Sequence, residues 1–323
     1  MKHFNKQFKG TFKNKSFVSI NQLTSKKEVN IILKTADKMK KLVNKRQVNG
    51  VLKGYCVAEL FYQPSTRTFT SFLGAANWLG ALAIPIHGMS AYSSAVKGES
   101  LADSIRSIYQ TSAADLIILR HPDDNSSEIA AKNSYVPVIN AGSGKKEHPT
   151  QAILDLYTIR QELGKVENLK VAMVGDLKNG RTIKSLSLLL SMINKNNKMF
   201  FVSPDNLRAP MMLLNQLKSA GVEVFETDKL SDVISKVDVL YVTRIQKEWF
   251  ANEEEYNAVS GSFIIDKKTI KQAKKKMIIM HPLPRVNEIA CDVDDDPRAA
   301  YFRQMRSGLY TRMALLKLIL LGN

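Results

Sequence analysis

The chain has 323 residues, of which 44% are hydrophobic and 24% charged, as is ordinary for a soluble globular protein. These proportions exclude a collagen and a largely disordered chain. The two cysteines, Cys56 and Cys291, are too few for a disulfide framework. The 47 basic and 30 acidic residues give a formal net charge of +17. Such a surface attracts small anionic substrates, although it also suits nucleic acid.

The sequence offers no targeting or metal-binding signal. The longest apolar run, near residues 314–320, contains Lys317 and is shorter than the roughly 20 apolar residues that cross a membrane. No apolar segment follows the N-terminal lysines, so a secretory signal is not expected and a cytoplasmic location is predicted. No Cys/His cluster has metal-ligand spacing, and we expect no metal. Residues 1–16 are expected to be disordered.

Strand-like and helix-like segments alternate along the chain. A stripe of apolar residues after Thr24 and Ser25 predicts the first helix. Further helices are predicted after Thr66, Glu99, Pro149, Arg181, Arg208 and Lys267, and a last one near Gly308–Leu320. Short runs rich in β-branched residues predict nine strands: Tyr55–Phe61, Leu82–Ile86, Asp115–Leu119, Val136–Asn140, Lys170–Val174, Met199–Val202, Val222–Phe225, Val239–Val242 and Met277–Met280.

This alternation predicts an α/β protein with two doubly wound parallel sheets. We place the domain boundary in the helix that begins at Pro149, which gives domains 1–150 and 151–305. No strand follows the last helix, so we expect residues 306–323 to pack back on the first domain.

Ligands of doubly wound folds bind at loops beyond the carboxyl ends of the strands. Six such loops are polar, and five of them contain arginine although the chain has few arginines. They are Pro64–Thr68, Arg120–Pro122, Gly142–Gln151, Gly175–Thr182, Thr243–Gln246 and His281–Arg285. The first combines hydroxyls, a guanidinium and a helix start, which suits a phosphate as well as an ordinary helix cap.

Three other patterns also have plainer explanations. Residues 175–182 resemble a nucleotide-binding P-loop, but Arg181 replaces its lysine. His148 lies one helical turn from Gln151, so both side chains are expected to face one ligand. The polar stretch 90–98 is either a solvent-exposed connection or a mobile lid that carries Lys97 to an anion. No catalytic triad spacing is found, which favours electrostatic and positional catalysis.

Taken in order, the loops resemble the aspartate carbamoyltransferases. The segments that carry the resemblance are Pro64–Thr68, Lys97–Asp103, Arg120–Pro122, His148–Gln151, Gly175–Lys178, Gly180–Thr182, Thr243–Glu248 and His281–Arg285. The stretch Asp296–Gln304 looks closest to eukaryotic forms. The resemblance implies transfer of the carbamoyl group of carbamoyl phosphate to the amine of L-aspartate, early in pyrimidine biosynthesis. It also implies a homotrimer with shared active sites and no cofactor.

The resemblance also implies a role for each matching residue. Carbamoyl phosphate would be bound by Ser65, Thr66, Arg67, Thr68, Ser93, Lys97, Arg120, His148, Gln151, Pro282 and Leu283. Among these, the catalytic set would be Arg67, Thr68, Lys97, Arg120, His148 and Gln151. Aspartate would be bound by Lys97, Arg181, Arg244 and Gln246, with Ser93 and Lys97 arriving from a neighbouring subunit.

Some positions depart from the family pattern, namely Gln63, Phe69, Ser143, Lys184 and Trp249. Two alternative functions remain open on the sequence. An ornithine carbamoyltransferase shares the phosphate loop but typically has cysteine after the histidine where this chain has Pro282. A catalytically silent, basic nucleic-acid-binding or scaffold protein would explain the charge. A regulatory chain or other pyrimidine enzymes are possible partners.

Overall fold

The computed structural model describes residues 7–194, 196–247, 250 and 252–323. Its helices are α1 (Lys26–Asn44), α2 (Thr66–Trp78), α3 (Met89–Tyr92), α4 (Leu101–Ser112), α5 (Ser126–Asn133), α6 (Pro149–Leu163), α7 (Arg181–Ile193), α8 (Met211–Ser219), α9 (Glu253–Asn257), α10 (Lys267–Ile270) and α11 (Tyr301–Leu321). Its strands are β1 (Cys56–Phe61), β2 (Leu82–His87), β3 (Leu116–His121), β4 (Val138–Ser143), β5 (Lys170–Val174), β6 (Lys198–Val202), β7 (Val224–Thr227), β8 (Val239–Val242) and β9 (Ile278–Met280).

The strands form two parallel sheets, which confirms the predicted α/β fold. Four strands make one sheet in the order β2-β1-β3-β4, and five make the other in the order β7-β6-β5-β8-β9. All nine predicted strands are found, with ends shifted by three residues at most. The described chain divides into two compact units. The first runs to Leu154 and includes Arg306–Asn323, and the second is Asp155–Met305.

The first unit buries an apolar core on its sheet. Strand β1 is buried along its whole length, because its side chains pack against helices on both faces. Ala58 and Leu60 of β1 pack in one hydrophobic cluster with residues of β3 and α5, such as Ile117 and Ala130. The C-terminal helix belongs to this unit from Arg306 onward, as predicted, and Arg312 on it donates a hydrogen bond of 2.6 Å to Ser71 on α2.

Two predictions about the chain ends need correction. Residues 7–16 are not disordered, because Phe8 and Phe12 are fully buried with ring centroids 4.5 Å apart, next to Phe17. The last helix begins at Tyr301 and not near Gly308. Gly308 lies inside this helix, and the Arg312 guanidinium occupies the space that a side chain at position 308 would fill.

The second unit is built around its central strands. Strand β8 is buried throughout, and its Leu240 and Val242 pack with Val202 of β6 and Ile279 of β9. Each neighbouring pair of strands is parallel. The carboxyl ends of β5, β8 and β9 therefore meet at the same edge of this sheet, as those of β1, β3 and β4 do in the first unit.

Candidate active site

Three loops of the first unit start from adjacent strand ends. Phe61 at the end of β1 is in register with Arg120 near the end of β3, and His121 is in register with Ser143 at the end of β4. The Tyr62 amide donates to the Arg120 carbonyl at 2.9 Å. The loop after β1, the Arg120 side chain and the segment that leads to α6 therefore lie at one edge.

Helix α2 begins at this edge, and its N-terminus has no side-chain capping hydrogen bond. Ser65 is the N-cap residue in extended backbone, yet its hydroxyl makes no capping hydrogen bond, and the first turn holds no acidic residue. Free N–H groups at a helix start attract an anion. Burial lowers the pKa of Arg67 from its ordinary value, and Thr68 is buried. Residues 65–68 thus combine free backbone N–H groups, hydroxyls and a guanidinium, an arrangement that suits an anion such as phosphate.

Arg120, His148 and Gln151 follow the next two strands. Arg120 donates from Nη1 to the Ala141 carbonyl at 3.2 Å, which links the ends of β3 and β4. His148 directly precedes α6, and its carbonyl accepts from the Gln151 amide at 3.0 Å. Both side chains are buried. The Thr150 hydroxyl lies 3.5 Å from His148 Nδ1, so a hydroxyl that donates there leaves the proton on Nε2.

Ser93 and Lys97 lie in the segment after β2. The Ser93 hydroxyl donates to the Met89 carbonyl at 2.6 Å and accepts from the Ala95 amide at 3.2 Å. Lys97 ends a short 3₁₀ turn and is exposed. Tyr92 beside them is 91% exposed. The segment interpreted as either an exposed connection or a lid is therefore a short helix and a 3₁₀ turn on the surface of this unit.

The second unit brings Arg181 and Arg244 to one edge of its sheet. Arg181 begins α7 after β5, and Arg244 follows the adjacent strand β8. The two loops touch, because a Cβ on Gly175 (φ +114°) would lie 2.3 Å from the Thr243 carbonyl oxygen. Glycine is required here for both space and conformation.

Arg244 lines a partly enclosed cleft that also contains Ile245, Tyr256, Phe263 and Glu288. Gln246 follows two residues later and is half-buried. The end of the predicted motif, at Glu248 and Trp249, lies outside the described residues. A basic group in a partly enclosed cleft suits a carboxylate.

Pro282 and Leu283 follow β9, the strand beside β8. Leu283 has a positive φ of 54°, which is uncommon for a side chain of this type. Its amide donates to His281 Nδ1 at 2.8 Å. The loop that carries the two predicted carbonyl ligands is thus held by the side chain of the histidine that opens it. Arg285 does not contribute a free guanidinium, since Nη2 donates to Asp294 Oδ2 at 2.6 Å.

Sequence reasoning missed a buried network behind this edge. The Tyr241 hydroxyl donates to Asp155 at 2.7 Å, and Gln304 Nε2 donates to the other Asp155 oxygen at 2.6 Å. All three residues are fully buried. Burial, and then the charge of Asp155, raises the pKa of Tyr241 well above its ordinary value. The available signal was Asp155, a carboxyl group inside the apolar run of residues 152–157.

Within residues 7–194, 196–247, 250 and 252–323, no helix combines the length and apolarity needed to traverse a bilayer. The same described residues hold no group of three or more His, Cys, Asp or Glu side chains placed to ligate a metal ion.

Two family models cover nearly the whole chain. Residues 15–161 match the aspartate/ornithine carbamoyltransferase carbamoyl-P binding domain, and residues 167–319 match the Asp/Orn binding domain of the same family. The chain therefore belongs to the aspartate/ornithine carbamoyltransferase family.

Individual relatives indicate which members of this family the chain resembles. The aspartate carbamoyltransferase catalytic subunit of Methanocaldococcus jannaschii is 47% identical over 92% of this chain and 95% of its own length. Multifunctional protein CAD of Squalus acanthias is 46% identical over 96% of this chain, which spans 14% of that protein. A crystal structure of aspartate transcarbamoylase from Trypanosoma cruzi in complex with carbamoyl phosphate and aspartate superposes with a TM-score of 0.89. It is 40% identical and covers 96% of this chain and 98% of that one.

Proposed function

We propose that this chain is the catalytic chain of an aspartate carbamoyltransferase, which acts in pyrimidine biosynthesis. The enzyme joins the carbamoyl group of carbamoyl phosphate to the amine of L-aspartate and releases N-carbamoyl-L-aspartate and phosphate. The observation that carries this proposal is the pair of arginines, Arg181 and Arg244, at one edge of the second sheet in a member of this family. Two guanidinium groups suit the two carboxylates of aspartate.

We assign carbamoyl phosphate to the carboxyl edge of the first sheet. The uncapped start of α2 and Arg67 support a phosphate site, and Arg120 and His148 follow the adjacent strands. We assign the carbamoyl oxygen to Thr68, Arg120 and His148, and the carbamoyl NH2 to Gln151 and to the carbonyls of Pro282 and Leu283. Ser93, Lys97 and Gln246 complete the proposed set.

The chemistry needs charge stabilisation more than a covalent intermediate. Attack of the neutral aspartate amine on the carbamoyl carbon places negative charge on the carbamoyl oxygen. Fixed donors stabilise that charge most in the transition state, and losing one typically costs about 2.7–4 kcal/mol. The carbon–oxygen bond to phosphate then breaks, and we propose that a phosphate oxygen takes the amine proton.

Ornithine is not favoured as the acceptor, since arginines would repel a cationic side chain and Pro282 follows His281. The test is a steady-state assay of purified protein with carbamoyl phosphate and either aspartate or ornithine. Formation of N-carbamoyl-L-aspartate supports the proposal. Formation of citrulline alone, or no carbamoyl transfer, would refute it. A silent nucleic-acid-binding protein would give no product while retarding RNA in a gel.

We further propose that the chain forms a homotrimer in which Ser93 and Lys97 serve a neighbouring site. The support is the exposure of this segment, where Tyr92 is 91% and Val96 60% exposed, so that two large apolar side chains of one short segment are open to contact with a neighbouring subunit. Mixing two inactive variants, Lys97→Ala and His148→Ala, tests this idea. Shared sites predict that mixed trimers regain activity, because some sites then hold both native residues.

Sedimentation of the same sample measures the assembly directly. A monomeric enzyme with full activity would contradict the shared site. Association with a regulatory chain or with other pyrimidine enzymes, and a cytoplasmic location, stay predictions.

A further inference from the structure

The peptide group between Pro282 and Leu283 is held from one side by an imidazole ring. The Leu283 N–H donates to His281 Nδ1 at 2.8 Å. In a planar trans peptide the N–H and the carbonyl of the preceding residue point in opposite directions. The hydrogen bond to His281 therefore also sets the direction of the Pro282 carbonyl, which points away from the ring.

This contact defines the tautomer of His281. Because Nδ1 accepts, the ring proton of the neutral imidazole lies on Nε2. Nε2 lies 2.8 Å from Oε1 of Glu288, which accepts that proton's hydrogen bond. The His281 side chain is 1% exposed and that of Glu288 is 12% exposed, so water does not replace either partner readily.

Both oxygens of Glu288 act as acceptors. Oε2 accepts from the amides of Val286 and Asn287, at 3.1 Å each. Burial by itself would raise the pKa of Glu288, but the hydrogen bond from His281 and the backbone donors hold it below its ordinary value. The carboxylate of Glu288 therefore stays ionised and accepts hydrogen bonds from three donors.

The backbone of His281 is held by a hydrogen bond separate from those of its ring. Its amide donates to Gln304 Oε1 at 2.9 Å, and Gln304 in turn donates to the buried Asp155. On the other side of the ring, Glu288 accepts from Nε2 and so favours the tautomer in which Nδ1 accepts from Leu283. We propose that Glu288 is a positioning residue that acts through His281 to aim the Pro282 carbonyl at the carbamoyl NH2 group. This inference rests on the proposed function, which assigns that carbonyl to the carbamoyl group.

Glu288→Gln tests the idea, because glutamine has only one acceptor oxygen. If its NH2 faces His281, the ring must move its proton to Nδ1, where it opposes the Leu283 N–H. If its oxygen faces His281, the NH2 opposes the Val286 and Asn287 amides. Either orientation disturbs the Pro282–Leu283 peptide. The matched control is Glu223→Gln, which removes one charge from an exposed ion pair with Lys198 in the same unit.

The readout is discrimination between carbamoyl phosphate and acetyl phosphate, which has a methyl group in place of NH2. We expect Glu288→Gln to raise the KM for carbamoyl phosphate about tenfold, the effect of losing one well-made hydrogen bond. The inhibition constant of acetyl phosphate against carbamoyl phosphate should change less than about twofold, since its methyl group makes no such bond. A general packing defect would weaken both ligands equally, and that result would overturn the inference.

Two substitutions of the histidine keep the test informative if Glu288→Gln does not fold. Asparagine at position 281 can place its oxygen near the position of Nδ1 and accept from Leu283 without help from Glu288, whereas alanine cannot. We expect His281→Asn to retain the discrimination and His281→Ala to lose it. Equal discrimination in both variants would refute the positioning role. A wild-type protein that transfers no carbamoyl group would instead refute the proposed function.

Discussion

Each unit contains a fully buried carboxyl group behind the sheet edge that is proposed to bind substrate. The two groups differ in whether they accept hydrogen bonds. Asp155 in the second unit accepts from Tyr241 and Gln304. Glu59 in the first unit lies on β1, and neither of its carboxyl oxygens has a hydrogen-bond partner within the described part of the chain. Arg312 is the charged group that acts on it.

This difference distinguishes the side chains that are proposed to bind substrate from the buried side chains that affect stability. At both edges the proposed ligand groups are arginines and helix starts, so their loss should reduce catalysis in the same way. The buried carboxyl groups should behave differently from each other. Removing the charge of Asp155 leaves one buried donor without an acceptor, whereas removing that of Glu59 relieves a group whose ionised form is poorly solvated.

The largest expected effect concerns the phosphate side. Arg67→Ala removes the guanidinium beside the uncapped start of α2, and we expect kcat/KM to fall by about 10³-fold, as when a transition-state donor is lost. Arg106→Ala is the control, since Arg106 is an exposed arginine of the same unit paired with Asp103. Steady-state kinetics measure the change, and circular dichroism checks the fold. Normal rates in Arg67→Ala would contradict the assignment.

The corresponding test on the second unit is Arg244→Ala. Its loss should raise the KM for aspartate by about 10–100-fold, the effect of removing a hydrogen bond to a charged group. Binding of carbamoyl phosphate should change little. Arg208→Ala, which breaks an exposed pair with Asp205, serves as the control. An unchanged KM for aspartate would mean that Arg244 does not bind the substrate.

The third prediction concerns support of the second unit. Asp155→Asn replaces one acceptor oxygen with an NH2 group that opposes a buried donor, from either Tyr241 or Gln304. We expect the free energy of unfolding to fall by about 2 kcal/mol. Denaturant titration measures it, with the exposed Asp205→Asn as the control. Equal midpoints for the two variants would show that the network contributes little to stability.

Most of the fold could be predicted from the sequence because its strands are short β-branched runs between clear breaks. The structure corrects places where the deciding contact lies far along the chain. Phe8 and Phe12 sit among lysines, and their burial depends on aromatic neighbours such as Phe17. Helix α5 follows a polar stretch with weak periodicity, and no pattern in the sequence predicted it.

The candidate site divides in the same way. Residues at strand ends could be named in advance, since parallel strands end at one edge of the sheet. Most of the buried groups behind this edge could not be named in advance. Glu288 resembles a surface residue in the sequence, and only the fold brings it to the ring of His281. Glu59 and Asp155 were exceptions with a visible signal, since each is a carboxyl group inside an apolar run.

The smallest expected effect, on the stability of the first unit, has a sign opposite to that of Asp155→Asn. Burial raises the pKa of Glu59 from 4.5 to about 8, although the nearby charge of Arg312 lowers it. The folded state therefore holds this proton more tightly than the unfolded state. The stabilisation is complete below pH 4.5, decreases as the pH rises, and is lost above about pH 8.

Glu59→Gln removes this titration. Between pH 7 and pH 9 we expect wild type to lose about 1.4 kcal/mol relative to the variant, the equivalent of one pH unit of linked proton release. Unfolding curves at several pH values measure it, with Glu226→Gln as an exposed control. Because all other groups titrate equally in both proteins, parallel pH profiles for wild type and Glu59→Gln would mean that Glu59 is ionised in the folded state at neutral pH, with a donor that holds it as Tyr241 and Gln304 hold Asp155.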